Sequence, residues 1–407
     1  NILMEYRNKN LFIEKISAFY LSKKIQTPFY CYSREKLKDN INQFKKNFSK
    51  INPLICFSVK SNNNSRILEE LSNLHLGADV VSKGELILAL NSKINPKKIV
   101  FSGVGKKTEE LEFAIKKKIL LINAESESEI FELERLAKKK RQVVNIGLRL
   151  NPNIDAKTLK KISTGKHEDK FGLTEKSFLK ILNKFKNSRF VKIKCLSVHI
   201  GSQITDYKPY IKMLNVLDVI IKKSKYTFDY VDLGGGMGIQ YDRKTKVFNY
   251  KKYNKIIKKF LKKHNVKIIF EPGRSIIGNT GILISKVIYI KDSGRKKFII
   301  LDAAMNDLMR PALYGAFHRT LPVIKSNKTS NKPYEFVGPI CESTDKFITL
   351  KKFQKLEEKD LIAICDVGAY GMSLSSNYNL RPKPIELLIK GSKINVIRKR
   401  QKHTEII

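Results

Sequence analysis

Lys60 is one lysine among many, and its setting singles it out: it closes the apolar run Leu54–Val59 in the stretch F-S-V-K-S-N. A lysine that leaves an apolar strand for the mouth of a site loses hydration. Its pKa falls, and the free amine becomes a nucleophile for an aldehyde. Downstream, His199 stands in V-H-I-G-S-Q, the glycines Gly234, Gly235 and Gly236 follow V-D-L, and Glu271 opens E-P-G-R. Consecutive glycines let backbone amides close on an anion, and the hydroxyl of Ser202 suits the same phosphate. Taken alone, the triple glycine is equally an ordinary tight turn. Glu271 has three chemistries open to it: general acid or base, metal ligand, or partner of a ring nitrogen. In the last role a carboxylate keeps a pyridine protonated and strengthens it as an electron sink. His199 suits a general base or a flat surface stacked on a ring.

The elements that must carry these residues alternate along the chain. Short β-rich runs fall at Leu54–Val59, Leu76–Val81, Ile99–Ser102, Leu120–Asn123, Val143–Leu150, Cys195–Ile200, Tyr230–Leu233 and Ile268–Glu271. Amphipathic helical patterns lie between them, for example Lys36 to Phe48 and Tyr207 to Lys223, and Ser126 followed by Glu129 reads as a capping box. Strands separated by helices pair in parallel, and eight such units predict a (β/α)8 TIM barrel of about 250 residues. Such barrels place chemistry at the C-terminal ends of their strands. Lys60, His199, the triple glycine and Glu271 all sit at those ends. After Thr280 the helical intervals thin out and a C-terminal β-rich, barrel-like domain is expected. The reading is an N-terminal segment 1–26 packing with the β domain, a cofactor-binding barrel over 27–280, and the β domain over 281–407. The irregular stretch Asn151 to Gly172 after strand five is expected to overhang the mouth.

Composition sets bounds on this reading. A chain of 407 residues with 42% hydrophobic content suits two globular domains. No apolar run reaches membrane length, and charges interrupt the N-terminus, so neither a membrane partner nor a signal peptide is expected. The five cysteines are scattered without paired spacing, which argues against a metal site and suits a reducing cytoplasm. The formal charge of +42 raises nucleic-acid binding. The lysines, however, spread over every predicted helix without a recognition motif, as AT-rich coding would produce, and no nucleic-acid partner is expected. The chain begins at Asn1 without an initiating methionine, so a residue or short segment is expected to be missing.

From about Thr27 to about Leu380 the motifs H-I-G-S-Q, D-L-G-G-G-M-G, E-P-G-R, M-N-D-L-M-R-P-A-L-Y and G-P-I-C-E-S-T-D keep one order and spacing. In these the chain resembles the alanine-racemase-like, fold type III pyridoxal-phosphate decarboxylases. The resemblance implies that Lys60 holds pyridoxal 5'-phosphate as a Schiff base. It implies that Gly235, Gly236 and Ser202, the backbone of Gly273 and Arg274, and the hydroxyl of Tyr370 hold the phosphate. Glu271 would pair with the pyridine nitrogen and His199 would stack on the ring. Arg274, Arg310, Tyr314 and Glu342 would bind the substrate, with Tyr370 beside them. Cys341 would be the catalytic proton donor, reaching with Glu342 into a neighbouring subunit's site, which implies a homodimer with shared active sites. Two arginines and a tyrosine match a distal carboxylate, and Glu342 a distal ammonium. The branch of the family acting on meso-2,6-diaminopimelate therefore fits better than the ornithine or arginine branch. Ornithine would leave guanidinium groups unpaired and be disfavoured by on the order of 10⁴-fold. One departure is S-V-K-S-N, where relatives more often carry alanine beside the lysine; serine is small and little consequence is expected.

Overall fold

The computed structural model describes residues 4–407. It divides into two compact units, one made of Gln43–Ile239 and Lys246–Ser275, the other of the chain up to Asn42, Gln240–Thr245 and Ile276–Ile407.

The first unit is a closed barrel of eight parallel strands. In order these are Leu54–Ser58, Gly77–Val80, Ile99–Phe101, Leu121–Ala124, Val144–Arg149, Val191–Ser197, Tyr230–Asp232 and Lys267–Phe270. The eighth returns to the first, with Ile269 opposite Leu54, and this closes the ring. Strands covered on both faces need apolar residues at nearly every position, and Gly77–Val80 and Leu121–Ala124 are buried throughout. Cys56, Val100, Leu121, Cys195 and Ile269 form one apolar cluster. They come from five strands spaced around the ring, so the cluster fills the barrel interior.

The crossover helices follow local chemistry. In Lys208–Ser224, Met213, Leu214, Leu217 and Ile220 recur at helical spacing and are buried. Ser126 caps Glu127–Lys140 by accepting from the Glu129 amide at 3.2 Å. The carboxylate of Glu129 turns back one residue further than a capping box requires, to the amide of Glu125. Glu129 also receives Lys106 at 2.8 Å in a buried ion pair, and that bond competes for its orientation.

In the second unit the long strand Gly281–Asp292 is the spine. Its first half pairs antiparallel with Phe29–Ser33 and with Leu361–Cys365, its second half with Lys297–Leu301. Beyond these lie Tyr334–Val337 and Lys346–Leu350 on one side, and Ile385–Lys390 and Lys393–Arg398 on the other. Met4–Arg7, Asn10–Ile13 and Ile16–Ser17 form a small antiparallel sheet whose Leu11, Ile13 and Ile16 share a core with Phe29, Ile282 and Leu387.

The break therefore falls after Asn42, and not at residue 27 as the sequence pattern implied. Phe29–Ser33 is the cause, because it pairs with Ile385–Lys390 and Gly281–Asp292 instead of joining the barrel. Gln240–Thr245, expected in the barrel, also belongs to the sheet unit: Arg310 lies over the Tyr241 ring at 4.3 Å. Residues 1–3 of the expected N-terminal segment lie outside the described residues. Among the described residues no helix is long and apolar enough to cross a membrane.

Candidate active site

Lys60 sits in a single 3-10 turn, Val59–Ser61, immediately after the first barrel strand. The flanking serines are built into this turn. The Ser61 hydroxyl donates to the Ser58 carbonyl at 2.7 Å, and the Ser58 hydroxyl donates to Asp79 at 3.3 Å. The Ser58 amide reaches across to the Pro272 carbonyl at 2.9 Å, tying the lysine turn to the E-P-G-R segment. A Cβ on Gly273 would stand 2.8 Å from the Ser61 oxygen. The serines are thus packed against Gly273, a consequence the sequence reading did not foresee.

The glycine run is a close-approach device. A Cβ on Gly235 would come within 2.1 Å of the Glu271 carbonyl, and one on Gly236 within 2.3 Å of the Gly201 carbonyl. Gly236 also adopts φ +87°, a left-handed value that other residues resist. The Gly235 carbonyl is held from behind by the Tyr210 hydroxyl at 2.6 Å, and its amide donates to His199 Nδ1 at 3.2 Å. Beside the loop, the Arg274 guanidinium donates to the Ser202 hydroxyl at 2.9 Å. Arg274 heads a short helix, Arg274–Ile277, and is largely buried.

His199 accepts at Nδ1, so its ring proton resides on Nε2. Burial first, then the positive charges of Lys60 and Arg149, hold its pKa well below the usual histidine value, leaving a neutral ring. The stretch 151–172 passes over this end of the barrel, where the Thr164 hydroxyl donates to the His199 carbonyl at 2.8 Å. Glu271 is buried at the end of the eighth strand. Its pKa is pushed well up by burial and then by the neighbouring Asp232 charge, against the pull of Lys60 and Arg149. Lys60, His199, Ser202, Gly235, Gly236, Glu271, Gly273 and Arg274 thus gather at the C-terminal end of one barrel.

Three further groups belong to this cluster. Asp79, on strand two, is buried with its pKa raised by burial and by Glu271. Arg149 ends strand five, pairs with Glu125 at 3.6 Å and lies over the Phe171 ring. Asp232 anchors the glycine loop, accepting from the Gly234 amide at 2.8 Å. The signal for Arg149 and Asp232 was in the sequence: each is a charge placed at the end of an otherwise apolar strand.

The remaining candidates are carried by the sheet unit. Arg310 is buried at the start of Arg310–Tyr314 and donates from Nη1 to His318 Nε2 at 2.8 Å. His318 in turn donates from Nδ1 to the Cys365 carbonyl at 2.8 Å, which fixes its tautomer. Asp366, pushed up to about 6 by burial, is held down by Arg319 and Arg310. Tyr314 and Tyr370 are half-buried, and Tyr370 has φ +56°. Cys341 and Glu342 are exposed on a loop hung from the buried Asp345, whose carboxylate accepts from the amides of Met305 at 2.7 Å and Ile340 at 2.8 Å.

The site fits a flat aldehyde cofactor bearing a phosphate. It supplies an amine for the aldehyde, a glycine cradle that a Cβ would fill, a guanidinium–hydroxyl pair beside the cradle, a neutral imidazole and a carboxyl. A barrel carrying this set suits a pyridoxal-phosphate enzyme. The family model for the pyridoxal binding domain of pyridoxal-dependent decarboxylases matches residues 34–278.

Relatives narrow the class. A diaminopimelate decarboxylase from Aquifex aeolicus is 38% identical over 414 residues, covering 100% of this chain and 97% of its own. One from Helicobacter pylori is 42% identical over 379 residues, 92% of this chain and 93% of its own. A crystal structure of the Helicobacter pylori enzyme (an I148L mutant, complexed with L-lysine) superposes with TM-score 0.92 at 41% identity, covering 95% of this chain and 98% of that one. The chain belongs to the diaminopimelate decarboxylase family.

Proposed function

We propose that this chain decarboxylates meso-2,6-diaminopimelate to L-lysine and carbon dioxide with pyridoxal 5'-phosphate, the closing reaction of lysine synthesis. The observation that carries the reading is the cluster about Lys60, in a chain that matches diaminopimelate decarboxylases over its whole length. When bound, the cofactor supplies an electron sink for the pair released as the bond from Cα to the carboxylate breaks. Lys60 anchors it covalently through the amine. Ser202, Gly235, Gly236, the backbone of Gly273 and Arg274, and Tyr370 would hold its phosphate, Glu271 would keep a proton at the ring nitrogen, and His199 would stack on the ring. A neutral His199 suits that role, since a cation there would oppose the protonated ring.

Substrate recognition falls to Arg274, Arg310, Tyr314, Glu342 and Tyr370, with the guanidiniums and Tyr314 on the distal carboxylate and Glu342 on the distal ammonium. Cys341 delivers the proton to Cα after carbon dioxide has left, and its thiolate is reprotonated from water. Exposure of Cys341 and Glu342 supports their donation to a neighbouring subunit, and hence a homodimer with shared sites. Five free thiols support a cytoplasmic setting.

The direct test is carbon dioxide release from meso-diaminopimelate by the purified chain with cofactor, beside Lys60→Ala. Release that is lost in the variant is the expected result. Turnover of ornithine at a comparable rate would move the chain to the ornithine or arginine branch.

A further inference from the structure

Asp232 ends the seventh barrel strand and Glu271 follows the eighth, and these strands pair directly with Asp232 opposite Ile269. Both residues clasp Gly234, through the two peptide units that flank its Cα. Asp232 Oδ1 accepts from the Gly234 amide at 2.8 Å, and the Glu271 amide donates to the Gly234 carbonyl at 2.7 Å. Their carboxyls meet as hydrogen-bond partners, Asp232 with no exposure and Glu271 with 8%. Yet Asp232 Oδ2 and Glu271 Oε2 are both buried acceptors without any donor.

Two ionised carboxylates so placed repel each other and leave both oxygens unsatisfied. One proton between them removes both penalties, because it turns either oxygen into the donor the other lacks. The surroundings favour keeping that proton. Asp79 adds a third carboxyl from strand two, with Oδ1 also lacking a donor, and Glu85 stands behind it. Lys60 and Arg149 oppose these charges, and Arg149 already pairs with Glu125. The other titratable groups that feel the Asp232 charge are the Cys56 and Cys195 thiols and the Tyr253 hydroxyl. None of these can be a cation, and burial keeps all three neutral, so they neither offset nor add to the negative charge. His199 is neutral as well.

We propose that Asp232 is a positioning residue that shares one proton with Glu271, so that the pair carries a single negative charge toward the cofactor's ring nitrogen while Asp232 anchors the phosphate loop. One buried contact then couples the two ends of the cofactor, because Gly234 is held on one side by the Asp232 carboxyl and on the other by the Glu271 amide. The proposal rests on the reading of Glu271 as the ring-nitrogen partner.

Asp232→Asn is the informative variant. Its amide oxygen still accepts from Gly234, and its NH2 gives Glu271 a permanent donor, so the fold and the geometry are retained. The infrared spectrum of the cofactor-free full chain at neutral pH is expected to show protonated-carboxyl absorption, part of which Asp232→Asn loses. Pyridoxal phosphate affinity, titrated by absorbance, should stay within about 3-fold in Asp232→Asn and weaken by about 10-fold or more in Asp232→Leu. No loss of that absorption in Asp232→Asn overturns the shared proton. Loss of that absorption with unchanged affinity in Asp232→Leu overturns the positioning role. Both readouts are independent of carbon dioxide release, so failure of the decarboxylase reading is distinguishable from failure of this one.

Discussion

At the scale of single residues, the site depends on what is left out as much as on what is present. Gly235 has no left-handed φ, so conformational freedom is not its reason for being glycine. The missing methyl is. A Cβ there would stand 2.1 Å from the Glu271 carbonyl, a backbone atom that cannot move aside without displacing the eighth strand's end. Gly235→Ala is therefore expected to weaken pyridoxal phosphate binding by at least about 10-fold and to cost about 1–3 kcal/mol of stability through overpacking. An absorbance titration and a denaturation curve measure the two effects; affinity within a factor of about two of the parent would show that the cradle does not need the close approach. Ser61 makes the same point from the other side. Its hydroxyl is folded back onto the Ser58 carbonyl against Gly273, so the serine beside Lys60 shapes the turn that presents the amine.

At the scale of elements, the loop that carries Cys341 hangs on the buried Asp345 carboxylate and on Asn379, whose Oδ1 accepts from the Cys341 amide at 3.2 Å. Asp345 accepts two amides, from Met305 and Ile340, and sits against Gly338, where a Cβ would collide with its oxygens. In Asp345→Asn one of the two accepting oxygens becomes an NH2, which cannot accept, and a hydrogen bond to a charged group is worth about 1.5–3 kcal/mol. Turnover should fall at least about 10-fold, since a misplaced proton donor is costly. Cofactor affinity should hold, because the glycine cradle and Lys60 belong to the other unit. Weakened affinity with normal turnover would contradict this division of labour. The same scale shows where sequence reading succeeds and where it stops. The eight barrel strands were legible because a strand buried on both faces announces itself locally as an apolar run. Lys60, His199, the glycines and Glu271 were legible because polar residues interrupt those runs at one end. Phe29–Ser33 was not, since F-Y-C-Y-S has the composition of a barrel strand and only its partners, at 281–284 and 385–389, place it in the sheet. Ile385–Lys390 was missed altogether. Its buried Glu386 breaks the apolar pattern, and the hydrogen bonds that make that burial tolerable come from Tyr32 and Arg398. Asp232 stood out locally as a charge ending an apolar strand, but its role depends on Glu271, a residue remote in sequence.

At the scale of the whole molecule, the proposed homodimer makes a quantitative demand. Lys60 belongs to the barrel unit and Cys341 to the exposed loop of the sheet unit. If each site draws its lysine from one subunit and its thiol from the partner, Lys60→Ala and Cys341→Ala fail in different halves of every site. Mixed at equal amounts and allowed to exchange, they form heterodimers in about half of the population. Each heterodimer holds one site with both defects and one site with neither. The mixture should therefore recover about a quarter of the parent's carbon dioxide release, although each variant alone is nearly inactive. Sites completed within one subunit would give no recovery at any mixing ratio, because every site would then carry one of the two defects. The net charge of +42 bears on the same experiment, since subunits so strongly cationic repel at low ionic strength. Exchange should consequently be followed at moderate salt, where screening lets the dimer reform, and the recovered fraction should rise with salt before it levels at the quarter set by subunit statistics.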